Sequence, residues 1–319
     1  MRIAQDALAR KIRHLADAED FCVFNGVSHV LVEVDGSDKR WKHMPACPLI
    51  GIGGPTIAHS QFDVLVEDSD QATKICSAIE EHPIASATFV QLLRHNENSS
   101  IENALFAESL SFSTLQHSSE FRSWLATNNS SIPNEAIDEE IVLIDRSDGT
   151  LRITLNKPNR HNAWSAAMRD SLCEALVLAI EDPTVKAVEI RGVGPSFCSG
   201  GDLSEFGLAQ DAGVAHVSRI VRNAGYLLES IREKVSVHVH GACIGAGIEV
   251  PAFASLVDSS EDAYFQLPEV QMGLVPGAGG TASILRRIGK HRMAWMGLTG
   301  ETITAQTALS WGLIDKISA

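Results

Sequence analysis

The chain has 319 residues, enough to bury a core as one large domain or as two smaller ones. At 45% hydrophobic and 21% charged it has the composition of an ordinary globular protein, and no run reaches the ~18 apolar residues of a membrane helix. A net charge of −14 argues against a nucleic-acid surface or an anionic membrane as partner, yet leaves room for an anionic small ligand in a local basic pocket.

The first twenty residues, MRIAQDALARKIRHLADAED, have no signal-peptide core, and their acids argue against a transit peptide. The six cysteines show no metal spacing, so reduced thiols and a cytoplasmic setting are expected. In residues 1–20, Leu8, Ile12 and Leu15 recur at helical spacing and predict an amphipathic helix. Strand-like runs follow at 29–34 and 48–51, with a turn at Asp35–Gly36. The glycines at 51–54 resemble a nucleotide loop only superficially, because Pro55 and polar residues follow them and no GK[ST] is present.

Residues 70–127 read as helical throughout. One apolar stripe runs through Ile101, Leu105, Phe112 and Leu115, and Phe121, Trp124 and Leu125 close the segment. Residues 127–140 (TNNSSIPNEAIDEE) are the best linker in the chain, so 1–139 and 140–319 are expected to form two parts. Beyond the linker, runs at 141–144 and 151–155 flank Ser147–Asp148–Gly149, which is hairpin chemistry. Met168, Leu172, Leu176 and Ile180 predict a helix that ends at Asp182–Pro183. A strand is expected at 185–191. A second helix is expected through Val217, Ile220, Val221, Ala224, Leu228 and Ile231, and another strand at 235–239. This alternation argues for an α/β fold.

Residues 239–280 carry the most chemistry. Gly245–Ala246–Gly247 separates a strand-like run from a helix-like run, so free backbone N–H groups are expected at a helix start. Glu249 follows in the first turn, flanked by Ile248 and Val250, where burial would raise its pKa. Pro251 removes a helix hydrogen bond just beyond it, so a kink in the helix that carries Glu249 is expected. Twenty residues on, Glu269 lies in a loop. An amide cradle and two carboxylates suffice to hold an oxyanion and move a water proton.

That stretch, with SFCSGGD at 196–202, KPNRHNA at 157–163 and the tail motifs at 298–301 and 308–315, resembles the enoyl-CoA hydratase/isomerase (crotonase) superfamily over 140–318. The resemblance implies a spiral of ββα repeats assembled as a homotrimer or dimer of trimers. It implies an oxyanion hole made by the N–H groups of Ser199 and Ala246, where the family often has Gly at the second position. Gly200, Gly201 and Asp202 would run along the CoA moiety. Glu249 and Glu269 would be the catalytic pair, with Glu269 mainly the base towards water and Glu249 orienting the water and exchanging the proton at Cα.

Residues 82–94 and 102–125 resemble the helical region that in this family normally follows the Gly–Leu–Ile–Asp motif. A circularly permuted arrangement is therefore expected, in which the N-terminal segment supplies that helical region; the alternative is a truncated core with an unrelated N-terminal domain. The expected function is hydration of a 2-enoyl-CoA or the reverse dehydration, with no metal or redox cofactor and coenzyme A only as part of the substrate. The alternatives are Δ3,Δ2-enoyl-CoA isomerisation and a non-catalytic acyl-CoA or acyl-carrier binding subunit. Among other candidates, His238 and His240 share a strand face but lack a third metal ligand. Cys198 and Cys243 are expected to pack as small apolar groups, and Asp202 to cap a helix. Arg286, Arg287, Lys290 and Arg292 could meet CoA phosphates or sit at a subunit contact.

Overall fold

The structure is a computed structural model that describes residues 1–34, 42–53, 61–128, 140–209 and 211–318. Most of the expected linker, 129–139, and the turn at Asp35–Gly36 lie outside the described residues.

The first twenty residues are not one helix. They form β1 (Arg2–Ala4), α1 (Gln5–Lys11) and α2 (Leu15–Glu19). The break has a local cause: His14 caps α2, and Asp17 Oδ2 accepts from the backbone N–H groups of Arg13 and His14 in a capping box. Leu8 and Ile12 are buried as expected, whereas Leu15 is exposed. Next come β2 (Val30–Glu33), β3 (Leu49–Ile52) and β4 (Val64–Val66), which with β1 make a parallel sheet in the order β1-β2-β3-β4. Its outer strands were not expected, because three residues carry too little periodicity to be read. Side chains alternate across it. Val30, Val32 and Leu49 join a small core with Leu8 and Phe21, while Leu31, Ile50 and Val64 face the main core.

The helical region is α3 (Ser69–Glu81), α4 (Pro83–Asn96), α5 (Ile101–Leu115) and α6 (Ser119–Asn128). Pro83 at the first position of α4 ends α3 and starts the next helix. Asp63, wholly buried, ties this layer to the sheet: it accepts from Leu49 N (2.8 Å) and from Arg94 Nε (2.8 Å) on α4. The same guanidinium donates to the carbonyls of Pro45 and Cys47. Removing the carboxylate would leave a nearly buried cation facing only carbonyls. Asp63→Ala should therefore lose about 3–5 kcal/mol of stability, read as a lower urea midpoint.

The rest of the chain supplies β5 (Val142–Ser147), β6 (Thr150–Leu155), α7 (Ala166–Glu181), β7 (Ala187–Gly192), α8 (Ala212–Val221), α9 (Ala224–Ser230), β8 (Val235–Val239), β9 (Ala242–Ile244), α10 (Ala246–Glu249), β10 (Leu256–Ser259), β11 (Tyr264–Gln266), α11 (Gly280–Thr299), β12 (Ile303–Thr304), α12 (Ala305–Trp311) and β13 (Lys316–Ile317). A six-stranded sheet runs β13-β10-β8-β7-β6-β5, and a three-stranded one β12-β11-β9. Among the described residues only β5–β6 and β11–β12 are antiparallel. The β5–β6 turn has Asp148 and Gly149 both at positive φ, the conformation a two-residue hairpin needs.

The expected helix through 217–231 is two helices, α8 and α9. Asn223 breaks it, because its side chain accepts from Tyr226 N and so starts a new helix. Val214, Val217 and Val221 are exposed rather than buried.

Helices α3, α4 and α5 all pack on α11. Their buried residues Ile79, Phe89 and Leu105 belong to the same core as Ile153, Val237 and Met293. Helices α3–α6 are thus part of the main body, and α5 reaches the site described next.

Candidate active site

Strand β9 leads into the turn that starts α10. Gly245 sits at φ 50°, ψ −120°, and a Cβ there would lie 2.4 Å from Glu269 Oε1. A Cβ on Gly247 would lie 2.2 Å from the Cys198 carbonyl oxygen. Both positions need glycine because another part of the site occupies the space where a side chain would begin. Residues 198 and 243 pair as a parallel bridge, with Ile244 N donating to Cys198 O at 3.1 Å. This pairing brings the 199–202 turn against the 245–247 turn. Burial pushes the Cys198 thiol up to about 12, so it packs as an apolar group and is no nucleophile at neutral pH.

The two expected carboxylates meet. Glu249 and Glu269 line one cavity of about 210 Å³ with Ala246, Asp202 and Phe206. An adjoining cavity of about 460 Å³ is lined by Glu269, Asp202, Ser199 and Gly200. Their surroundings differ. Glu249 is buried, and its Oε2 accepts from Ala278 N (2.8 Å) and Gly280 N (2.9 Å) at the start of α11. Burial raises its pKa to about 7, while those amides and the nearby Arg219 oppose the rise. Glu269 Oε2 is buried with no partner among the described residues. Burial first and the charge of Glu249 second push the Glu269 carboxyl well above its ordinary range.

The expected amide donors are unequal. Among the described residues the N–H of Ala246, first in α10, has no acceptor. The N–H of Ser199 donates to the His161 carbonyl at 3.0 Å. Asp202 does cap: it accepts from Ser204 N, and it also pairs with Arg160 at 2.9 Å. Glu249 is the last residue of α10, and Pro251 opens a 3₁₀ turn, so the helix stops there instead of continuing with a kink.

The cationic cluster is engaged elsewhere. Arg287 donates to the carbonyls of Ala252 and Ala254, Arg286 to that of Ser99, and Arg292 to that of Trp311. Lys290 pairs with Glu97. These groups brace α11 within the chain. His238 pairs with Asp258, and His240 Nε2 lies 2.9 Å from the Gly194 carbonyl.

Three contributors were missed. Phe112, on α5, lines the cavity, with the Arg219 guanidinium 4.0 Å above its ring. Arg219 is on α8, and burial lowers its pKa to about 10. The third is Glu108. It lies between Leu105 and Phe112 at helical spacing, so a carboxylate on an apolar stripe was the available signal. Glu108 is buried, and burial, then the charge of Glu249, raises its pKa to about 8.

Raised carboxyl pKa values have a consequence for stability. Between the ordinary value of 4.5 and about 7–8 the folded chain holds protons on Glu249 and Glu108 that the unfolded chain has released. Stability must then fall as pH rises through this window and be retained below it. A pH series of thermal melts from 5 to 9 should show the midpoint dropping, with a loss on the order of 3 kcal/mol from Glu249 alone. Glu249→Gln should flatten the dependence.

A family model described as "Enoyl-CoA hydratase/isomerase" matches residues 145–319, more than half of the chain. The chain belongs to the enoyl-CoA hydratase/isomerase family. It is 33% identical over 176 residues to the 2,3-dehydroadipyl-CoA hydratase of Escherichia coli, covering 55% of this chain and 68% of the relative. It is 35% identical over 167 residues to the mitochondrial enoyl-CoA hydratase of Pongo abelii, covering 52% of this chain and 56% of the relative. Among solved structures, an enoyl-CoA hydratase of Mycobacterium smegmatis aligns with a TM-score of 0.52 and 31% identity over 57% of this chain and 71% of its own. The mixed α/β architecture, with helices on parallel sheets, is the crotonase-like fold expected from the motifs. Among the described residues no helix is long and apolar enough to cross a membrane.

Proposed function

We propose that this family member hydrates a 2-enoyl-CoA thioester, or runs the reverse dehydration. The observation that carries the reading is the pair of buried carboxylates, Glu249 and Glu269, on one cavity in unlike hydrogen-bond environments. Syn addition of water needs one ionised and one protonated carboxyl. Backbone donors favour the charged form, and burial without donors favours the neutral one. Glu249 is therefore the base that takes a proton from water as its oxygen adds to Cβ. Glu269 is the acid that delivers a proton to Cα. This division of labour is the reverse of the one expected from the motifs. The Ala246 N–H takes the developing enolate oxygen, and the Ser199 N–H joins it by sharing its hydrogen with the His161 carbonyl. Coenzyme A enters only as part of the substrate, along residues 199–202, and no metal or redox group is needed for these proton transfers.

One observation favours a second reading. Glu269 Oε2 has no partner among the described residues while Glu249 is held by two amides. A free carboxyl beside a fixed one suits Δ3,Δ2-isomerisation, in which Glu269 alone carries a proton between carbons. We also read α3–α6, of which α3, α4 and α5 pack on α11, as the family's helical layer in circularly permuted order, within a homotrimer or dimer of trimers. The test is turnover of a short trans-2-enoyl-CoA, followed by loss of the conjugated thioester absorbance, and of its 3-enoyl isomer. A 3-hydroxyacyl product from the first supports hydration. Conversion of the second with inertness towards the first supports isomerisation. Binding of both without turnover leaves an acyl-thioester binding subunit.

A further inference from the structure

Five hydrogen bonds join Glu249 and a carboxylate from the opposite end of the sequence to the start of α11. Ala278 N donates to Glu249 Oε2, Gly279 N to Glu108 Oε1 at 2.7 Å, Gly280 N to Glu249 Oε2, and Thr281 N to Glu108 Oε2 at 2.9 Å. The Thr281 hydroxyl also donates to Glu108 Oε2, at 2.6 Å. Four successive amides at the start of α11, a helix interrupted at Gly289, thus alternate between two carboxylates. One carboxylate would be enough to cap a helix. Two like charges on adjacent amides, both out of water, cannot ionise independently.

We propose that Glu108 is a positioning residue for the reaction: sharing the start of α11 with Glu249, it makes Glu249 a stronger base by its adjacent negative charge. The proposal rests on the reading of Glu249 as the base towards water. Glu108 accepts three hydrogen bonds and Glu249 two from the same run of amides, so the two carboxyls titrate as a pair and a charge on either one raises the other. The other charged groups near the pair are few. Glu269 faces it from the loop after β11, where the charges of Glu249 and Glu108 push its own carboxyl towards the neutral form. Arg219 on α8 opposes it, and Arg169 on α7 in turn acts on Arg219. His216 on α8 contacts Ser109 Oγ, next to Glu108 in sequence. From α4, the neutral Asn96 donates to Thr281 Oγ1. The N-terminal helices thereby act on the chemistry through a proton equilibrium as well as by packing.

The experiment is a pH titration of the full chain labelled with carbon-13 at the glutamate Cδ, read by NMR, in wild type, Glu108→Gln and Glu249→Gln. Each variant identifies its own resonance by deleting it. The Glu249 midpoint should fall by about one pH unit or more in Glu108→Gln. The Glu108 midpoint should likewise fall in Glu249→Gln, which keeps the test available if Glu108→Gln folds poorly. With a turned-over enoyl thioester, the acid limb of kcat/KM should shift to lower pH in Glu108→Gln together with the NMR midpoint. A purely structural cap would lower stability and leave the Glu249 midpoint in place, and that result overturns the proposal. A shifted midpoint without any shift in the acid limb upholds the coupling but overturns the catalytic consequence. Because the titration needs no substrate, failure of the hydratase reading and failure of the coupling are told apart.

Discussion

Glu249→Gln and Glu269→Gln should each reduce hydration of a short 2-enoyl-CoA by about 10²–10⁴-fold in kcat, with little change in acyl-CoA affinity. The affinity is expected to hold because the amide is isosteric and neither carboxylate lies on the 199–202 turn that would receive CoA. The two variants separate the readings of the site. If water adds across the double bond, a base and an acid are both required and both variants collapse. If one carboxyl shuttles a proton, Glu269→Gln collapses and Glu249→Gln keeps most of its rate. The variants also differ in pH dependence. Glu269 keeps its proton while Glu249 titrates, so in Glu269→Gln any residual acid limb should stay where it is, whereas Glu249→Gln removes it. Initial rates from pH 5 to 9, paired with calorimetric binding of a saturated acyl-CoA, read all three effects.

The second large effect is expected from one methyl group. In Gly247→Ala the new Cβ would stand 2.2 Å from the Cys198 carbonyl oxygen and 3.0 Å from its carbon. Both are backbone atoms, which cannot swing aside. The bridge between residues 198 and 243 must then slide, carrying the Ala246 N–H away from the 199–202 turn. Misplacing an oxyanion donor typically costs about 10²–10³-fold in kcat, and the forced packing about 1–3 kcal/mol of stability. Gly201→Ala is the control. Its Cβ would meet the ring edge of Phe206 at 2.7 Å, and a side chain can rotate. That variant should keep its fold and lose much less activity. Steady-state kinetics and thermal melts on the two variants check the contrast.

The readable parts of this chain were those in which function depends on local backbone. The turn at 245–247 must be tight and must free an amide, so its glycines announce themselves, and Glu249 follows in the same turn. Asp202 capping Ser204 and the 148–149 hairpin are likewise made by neighbours in sequence. So are the β5–β6 pairing and the helices between 69 and 128, which carry strong periodicity. The misread elements had ambiguous local signals. An apolar repeat across 217–231 continues through Asn223, yet the cap made by that side chain splits it. The repeat in 1–20 continues past His14, where a capping box starts a new helix.

What the sequence by itself determined is the family, the α/β architecture, and the identity of the two carboxylates and the amide turn, because each is written in short spacings. Only the tertiary structure decided how those carboxylates differ. Glu249 is made the better anion by amides 29 and 31 residues away, and Glu269 Oε2 is left without a partner among the described residues. It also decided that Arg286, Arg287, Lys290 and Arg292 bond to neighbouring carbonyls and to Glu97, and that Ser199 N–H already has an acceptor. Glu108 is the clearest case. It lies 171 and 173 residues from the amides it holds, and no local pattern encodes a contact of that separation. A buried carboxylate's ionisation depends on which donors and charges surround it in space, and that environment exists only once α5, α10 and α11 have packed.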